Sequence, residues 1–368
     1  MSLARRTTYS LQAIQKYLTH ISHPPHHTTS LLQNIKKKDW ATSKDALSAL
    51  ATLQKYQQAK IPFANLYLHY STHHLGTLDP GKLYEYIVNS SGIVHEGEID
   101  PEILSRESKH VSRELRWGNA SEREKRWEHR GPDGGRGGSC TLNNGFFGTV
   151  IRSLNLSVKT TGARVALSVS GGEKGRYAGW NHLVNLVLFE GRRYLVDVGF
   201  GGNGPTAPIL LEDGNEMAWG VTGDRVRVLW EGIREFETPG EKCWVLQHKR
   251  EGCEEWDDMY CFTDIEFTPM DVGVMNWKTT RDVRGSFFNH LIICVRNQME
   301  GEDVVGTVIM TDEKVKSRVR GKNETLKVCK NELDRWEALE KYFGIVLGEQ
   351  ERMGIKGLST ELKTSPED

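Results

Sequence analysis

The chain has 368 residues, of which 38% are hydrophobic and 26% are charged, and its formal net charge at pH 7 is −1. This length is enough for two or three folding units, and the near-neutral balance gives no electrostatic case for binding nucleic acid or an anionic membrane. The six cysteines form no C-x-x-C pair and no zinc-type spacing, so we predict reduced thiols and no metal. Because no apolar run reaches signal-peptide or membrane-spanning length, we expect a soluble, cytoplasmic protein.

Two helices are predicted in the first 60 residues. Ser10 is placed to cap the first helix, which His23-Pro24-Pro25 ends. Its apolar residues at helical spacing are Leu11, Ile14, Leu18 and Ile21. The second helix is predicted from near Ser43 to about Tyr56. We interpret both as a helical layer that packs against a later element of the core.

A strongly charged segment separates this layer from the next motif. From residue 101 to residue 130, six Glu, six Arg and two Lys make up fourteen of the thirty residues. Such mixed charge supplies no apolar core, so we predict a solvated surface insertion over residues 90–133. The alternative is that its basic clusters contact phosphates of a ligand.

The stretch Arg136-Gly137-Gly138-Ser139-Cys140 opens a predicted helix. Apolar residues follow at helical spacing, namely Leu142, Phe146, Val150, Ile151 and Leu154. Cys140 then lies in the first turn, where the helix dipole and unpaired N–H groups favour a nucleophilic thiolate. The alternative is a buried, inert cysteine at a helix start.

A hairpin downstream supplies a candidate base. Residues 182–189 and 192–198 are predicted strands, joined by Glu190-Gly191. A two-residue loop makes His182 and Asp197 diagonal neighbours on one face, with backbones roughly 7–8 Å apart. A carboxylate there holds an imidazole in one tautomer, whereas a slip of one residue would separate the pair. The alternatives are a satisfied strand histidine and a strand-end turn residue.

The rest of the chain predicts a strand-rich middle and a mixed C-terminal part. Residues 164–169 alternate like a strand, and several short strands with turn signals follow, which is typical of an antiparallel barrel or sandwich. A helix is predicted from about Glu332 to Phe343, with one side formed by Leu333, Trp336, Leu339 and Tyr342. The polar end of the chain is predicted to be mobile.

Three motifs together resemble the arylamine N-acetyltransferase family. They are the Arg136–Cys140 stretch with Asn144, then His182 with Asn185-Leu186-Val187, then the run Val196-Asp197-Val198-Gly199-Phe200-Gly201-Gly202. Their order and the fifteen-residue step from His182 to Asp197 are specific to that family. Two positions depart from its pattern, since Ala64 stands where the family usually has glutamate and Leu142 where it often has Glu or Gln.

The resemblance implies an α+β fold with a cysteine-protease-like core. A helical region carrying the nucleophile is expected over residues 1–89 and 134–155, and an antiparallel β-barrel over 156–270. An α/β lid is expected over 271–350 and a mobile tail over 351–368.

The resemblance also implies the chemistry. Cys140 is expected to be the nucleophile, His182 the general base and acid, and Asp197 the orienting carboxylate of a catalytic triad. An acyl group, most simply acetyl, would pass from acyl-coenzyme A to an arylamine or arylhydrazine by a ping-pong mechanism, as in xenobiotic metabolism. We expect a monomer with no tightly bound cofactor and no nucleic-acid or membrane partner.

Substrate contacts follow from the resemblance as well. Phe200 and Asn181 are expected at the acceptor, and Ala178 and Gly179 at the donor. Lys278 and Arg284 fall near coenzyme A contacts but replace neutral family residues. Either they favour phosphates or a carboxylated donor such as malonyl-coenzyme A, or they are solvated charges.

Two other functions stay open at this stage. The first is a transglutaminase-like or papain-like cysteine amidohydrolase, which would cleave a peptide amide with the same three residues. The second is a non-catalytic relative that binds acyl-coenzyme A.

Overall fold

The computed structural model describes residues 6–71, 74, 76–89, 136–282 and 285–363. Eight α-helices lie within these ranges and are numbered in chain order. They are α1 (Leu11–His20), α2 (Pro25–Asn34), α3 (Lys44–Lys60), α4 (Pro80–Ile87), α5 (Cys140–Ser153), α6 (Pro269–Arg281), α7 (Glu332–Phe343) and α8 (Glu349–Gly354). Within the same ranges no helix is both long and apolar enough to cross a bilayer. The charged segment predicted over 90–133 lies outside the described residues.

The strands form two antiparallel sheets. They are β1 (Phe63–Ala64), β2 (Ser157–Val165), β3 (His182–Phe189), β4 (Arg192–Val196), β5 (Ile209–Leu210), β6 (Glu216–Ala218), β7 (Arg225–Glu231), β8 (Cys243–Lys249), β9 (Asp257–Phe262), β10 (Ile293–Glu300), β11 (Asp303–Thr311), β12 (Lys314–Val319) and β13 (Lys322–Val328). The larger sheet has the order β5-β4-β3-β2-β9-β8-β7-β6 and curls nearly into a barrel around its own apolar core. The smaller has the order β1-β10-β11-β12-β13. The predicted α+β fold with a barrel-like middle is confirmed.

Helix α5 is the centre of the helical layer. Its predicted apolar face is buried, and Phe146 is 0% exposed. The Phe146 ring lies 5.7 Å from the ring of Tyr9 and 5.5 Å from that of Tyr17, which joins α5 to the N-terminal segment and α1. Burying a whole aromatic side chain in this way contributes about 1.5–3 kcal/mol. The start of α5 is therefore held rigidly.

The hairpin β3–β4 has the predicted register. Phe189 pairs with Arg192 and Asn185 with Val196 across a two-residue turn. Both turn residues have positive φ, 48° at Glu190 and 74° at Gly191, as a tight hairpin turn that matches the twist of its strands requires. The alternative of a one-residue slip is thereby excluded.

Several predicted elements need correction. Helix α1 ends at His20, before Pro24 and Pro25 as predicted, but a helix that was not predicted follows: Pro24 is the N-cap and Pro25 the first residue of α2, because proline is tolerated at the first helical position. The strand predicted at 164–169 lies earlier, as β2, and residues 167–170 form a short helical turn. On α7, Leu333 is 59% exposed, and Arg335 and Phe343 face inward.

The prediction of a mobile tail over 351–368 is wrong for the described part of that segment. Helix α8 lies within it, and Ile355 is 1% exposed. The buried Arg335 guanidinium donates to the carbonyl of Thr360 at 3.1 Å as well as to Tyr70 and Glu332, because a buried cation needs several acceptors. Residues 364–368 lie outside the described ranges.

Candidate active site

Cys140 is the first residue of α5 and is 3% exposed. Ser139, the residue before it, makes no side-chain capping bond in the described structure. Its hydroxyl is engaged instead with Tyr67 and Thr141, each at 3.0 Å. The positive end of the helix dipole is therefore left to act on the thiol.

His182 and Asp197 form a buried pair beside this thiol. The Nε2 atom of His182 lies 2.7 Å from Oδ2 of Asp197, and the two side chains are 2% and 0% exposed. The Cys140 thiol interacts with the imidazole and contributes to its raised pKa, and because Nε2 faces Asp197, Nδ1 is the ring nitrogen left for the thiol. Sγ lies 3.5 Å from the carbonyl oxygen of Asn181. The side chains of Cys140, His182 and Asp197 therefore lie next to one another, as predicted.

The other Asp197 oxygen is held by two donors. Asn144 Nδ2 and the backbone N–H of Gly199 each donate to Oδ1 at 2.8 Å. Asn144 in turn accepts from the N–H of Val198 at 3.0 Å. Its position four residues after Cys140 places both on one side of α5. One helix therefore carries the thiol and orients the carboxylate.

The charges of the pair are coupled. Burial disfavours the imidazolium, but the charge and hydrogen bond of Asp197, with a contribution from Cys140, outweigh it and raise the pKa of His182 to about 10. Burial also disfavours the carboxylate, yet His182, Asn144 and Gly199 hold the pKa of Asp197 below its ordinary value. At neutral pH the pair is imidazolium and carboxylate.

We expect His182 to stay protonated at about pH 8, well above the ordinary range of histidine. Its folded-state pKa is raised, so its contribution to the free energy of unfolding is fully present below pH 6.5 and is lost as pH rises through about 10. Nitrogen-15 NMR of histidine-labelled protein, with the resonance assigned by its loss in His182→Gln, measures this directly. Deprotonation of every histidine below about pH 7.5 would contradict it.

Close backbone approach at Gly199 sets the distance between hairpin and helix. A Cβ on Gly199 would lie 2.8 Å from Cα of Cys140 and 2.7 Å from Nδ2 of Asn144. Gly137 is equally constrained, since a Cβ there would lie 1.6 Å from the carbonyl oxygen of Pro62. Only glycine fits at these two positions.

Gly199→Ala is expected to push α5 away from His182 and to lower the rate of thiol acylation by about 10²-fold, as misplacement by about 1 Å does in other enzymes. Gly145→Ala is the matched control on α5, because a Cβ there meets nothing within 4 Å. The control should keep its activity and equal or exceed the parent in stability. Equal acylation rates for the two variants would refute the close-approach argument.

Aromatic rings enclose the imidazole. The ring of Phe200 lies 5.3 Å from that of His182, and the ring of Tyr260 lies 4.8 Å from it. Phe200 is half-buried, whereas Tyr260 is fully buried and its pKa is raised by burial and by the nearby Asp197. These rings exclude water from one side of the imidazole, and the lower local dielectric constant strengthens the attraction between His182 and Asp197.

The other predicted contact residues take varied positions. The side-chain oxygen Oδ1 of Asn181 accepts a hydrogen bond from the backbone N–H of Val165 at 2.9 Å. This bond ties the loop before β3 to β2. Ala178 donates to the Val165 carbonyl on the same strand, and Gly179 is exposed. Lys278 is exposed on α6 and pairs with Asp282 at 2.9 Å. Arg284 lies outside the described residues.

Two supporting residues are missing from the sequence-based site. Gln54 and Gln58 on α3 donate to the backbone carbonyl of Asp197 at 3.2 and 3.0 Å. They are 0% and 7% exposed. Their spacing of four residues places both on one side of α3, and this spacing is the signal that the sequence offered. Their partner lies about 140 positions further along the chain, which periodicity cannot identify.

The sequence is similar to one protein family and to individual members of it. A family profile described as N-acetyltransferase matches residues 132–352. An N-malonyltransferase, FDB2, of Fusarium pseudograminearum is 30% identical over 94% of this chain and 92% of its own length. The arylamine N-acetyltransferase / N-hydroxyarylamine O-acetyltransferase of Salmonella typhimurium is 31% identical over 43% of this chain and 50% of its own length.

The fold is similar to solved structures at lower sequence identity. Arylamine N-acetyltransferase from Salmonella typhimurium superposes with a TM-score of 0.64 at 21% identity, covering 95% of this chain and 98% of that one. The Mycobacterium marinum enzyme in complex with CoA gives a TM-score of 0.60 at 21% identity, covering 90% and 98%. These likenesses concern the fold.

Proposed function

Because the chain belongs to the arylamine N-acetyltransferase family, we propose that it moves an acyl group from an acyl-coenzyme A thioester to the nitrogen of an aromatic amine or hydrazine, with Cys140 as carrier. The observation that supports this proposal is the thiol at a helix N-terminus beside a buried imidazole whose partner is a carboxylate. The same three side chains are the catalytic residues in the proposal.

In the first half-reaction, the Cys140 thiolate attacks the thioester carbonyl. The carbon–sulfur bond to coenzyme A breaks, and the departing thiolate takes the proton held by His182. N–H groups at the start of α5 stabilise the oxyanion, a contribution of about 10²–10³ in rate in other enzymes. The product is an acyl-cysteine.

In the second half-reaction, the amine nitrogen attacks the acyl-cysteine carbon. Neutral His182 accepts the proton that the nitrogen loses, and the cysteine sulfur leaves as a thiolate. Asp197 stays ionised and holds Nε2–H, so that Nδ1 is the nitrogen that exchanges the proton. The enzyme returns to its starting state, and the kinetics are ping-pong.

Malonyl-coenzyme A is our proposed donor, with acetyl-coenzyme A as the second candidate. The relative that is 30% identical over 94% of this chain is named an N-malonyltransferase, whereas the arylamine N-acetyltransferase of Salmonella typhimurium matches 43% of it. The longer match includes the regions that follow the active-site motifs. This departs from acetyl, the donor expected from the resemblance alone.

The proposed substrate contacts are those of the sequence analysis. Phe200 stacks on the aromatic acceptor from its place 5.3 Å from His182, and Asn181 frames the acceptor side through its carbonyl. Ala178 and Gly179 contact the donor. Lys278 and Arg284 remain proposed donor contacts, and the charge of Lys278 is already balanced by Asp282.

The test incubates the protein with equal concentrations of malonyl-, propionyl- and acetyl-coenzyme A and identifies the adduct by intact mass. We expect a malonyl adduct first, which disappears when an aromatic amine is added and yields its N-malonyl product. A dominant acetyl adduct would support the second donor. No adduct with any thioester would refute acyl transfer, and cleavage of a peptide amide would favour an amidohydrolase.

A further inference from the structure

Two histidines and a glutamate meet where α2 approaches the turn between β10 and β11 of the smaller sheet. His26 and His27 lie in the first turn of α2, and Glu302 lies in the turn between β10 and β11. His27 Nε2 is 3.2 Å from Oε2 of Glu302, and His26 Nε2 is 3.7 Å from its Oε1. Residues far apart in sequence thus present two imidazoles and one carboxylate to each other.

The arrangement has the ligand types and spacing of a zinc site. One ligand atom from each residue lies within 4.8 Å of the other two, and the two imidazole rings are 4.0 Å apart. Ligand atoms around a tetrahedral zinc ion are about 3.3 Å apart, given zinc–ligand distances of about 2.0–2.2 Å. His26 and Glu302 are exposed and His27 is half-buried. Small rotations of these side chains would therefore shorten the distances between ligand atoms to those of a zinc site.

One end of the cluster is tied to a neighbouring helix, and a further imidazole lies beside the other end. Lys55 Nζ donates to the carbonyl oxygen of Glu302 at 2.9 Å and so ties the turn to α3. His23, 6% exposed, has its ring 6.0 Å from that of His27, and its Nε2 has no hydrogen-bond partner among the described residues. A third imidazole therefore lies beside the cluster with a free nitrogen.

We propose that His26, His27 and Glu302 bind one Zn²⁺ ion, with water completing the coordination. Imidazole and carboxylate ligands suit this ion. The cysteine spacing that led us to predict no metal bears on thiolate sites and not on this one. The ion would join α2 to the smaller sheet and would take no part in acyl transfer.

Zinc binding is measured by isothermal titration calorimetry on the full chain in a Cys140→Ala background, so that the active-site thiol cannot take the ion. We expect one high-affinity site per chain and an increase of about 2–4 °C in Tm at hundredfold excess over Kd. Co²⁺ should occupy the same site, with an absorption spectrum that reports its coordination.

Two variants assign the ligands. In the double variant His26→Ala/His27→Ala and in the milder Glu302→Gln, we expect Zn²⁺ affinity to fall at least about tenfold and the Tm increase to vanish. The control His290→Ala removes an exposed histidine outside the cluster and should bind like the parent. Unchanged affinity in folded forms of both cluster variants, or no binding by the parent, would overturn the proposal and leave a simple histidine–glutamate ion pair.

Discussion

Cys140→Ala is expected to abolish acyl transfer, with a loss of at least about 10⁴ in turnover, as found when the nucleophile of a comparable triad is removed. No other thiol is expected to replace it, because among the six cysteines, all of which lie in the described part of the chain, the one at the start of α5 is beside the His182 imidazole. Intact mass after incubation with the thioester panel should show no adduct. Stopped-flow release of coenzyme A should lose its burst.

The control for this change is Cys253→Ala. Cys253 is an exposed thiol outside the site, so its loss should leave both adduct and turnover intact. The far-ultraviolet circular dichroism of both variants should match the parent, since each substitution removes a single sulfur atom. An adduct that forms on Cys140→Ala at the parental rate would disprove the role of this cysteine.

Asp197→Asn is expected to lower turnover by roughly 10³–10⁴-fold, close to the loss measured for the equivalent change in a serine protease triad. The asparagine oxygen would keep the two donors now at Oδ1, Asn144 Nδ2 and the Gly199 N–H. Its NH₂ group would then face His182 Nε2 and force that nitrogen to accept. The ring hydrogen would move to Nδ1, which could no longer take a proton from the thiol.

This prediction has a second readout, because it concerns a tautomer as well as a rate. Nitrogen-15 NMR should show His182 neutral at neutral pH in Asp197→Asn and positively charged in the parent. A full rate with an unchanged imidazolium signal would contradict the proposed role of the carboxylate.

Asp224→Asn is the matched control for the loss of a buried carboxylate. Asp224 is 3% exposed and lies 3.3 Å from His248 Nε2, so it repeats the histidine–aspartate pairing away from the thiol. It also receives two bonds from Arg318 on β12, at 2.8 and 2.9 Å. Removing the Asp224 charge should lower the free energy of unfolding, typically by about 3–5 kcal/mol for one partner of a buried pair. The molecules that fold should keep their turnover.

The local elements of the site were readable because each depends on neighbours in the chain. The apolar spacing after Cys140 follows from the helical repeat, and the Glu190-Gly191 turn determines which residues of β3 and β4 face each other. A resemblance of three motifs then identified the chemistry. The same local reasoning placed the end of α1 before Pro24-Pro25 but missed that these prolines start α2, since proline is compatible with both a helix end and a helix start.

The tertiary structure alone decided the properties that arise between segments distant in the sequence. The pKa of His182 is raised because the charge and hydrogen bond of Asp197 outweigh the burial that disfavours the imidazolium, and the packing of the whole fold brings the two groups together. Gln58 reaches the Asp197 carbonyl from α3, and Arg335 draws residue 360 onto the core. Sequence by itself determined which groups are present and how close neighbours are arranged. Their charge states and long-range partners depend on desolvation and on backbone approach, which exist only once the chain has folded.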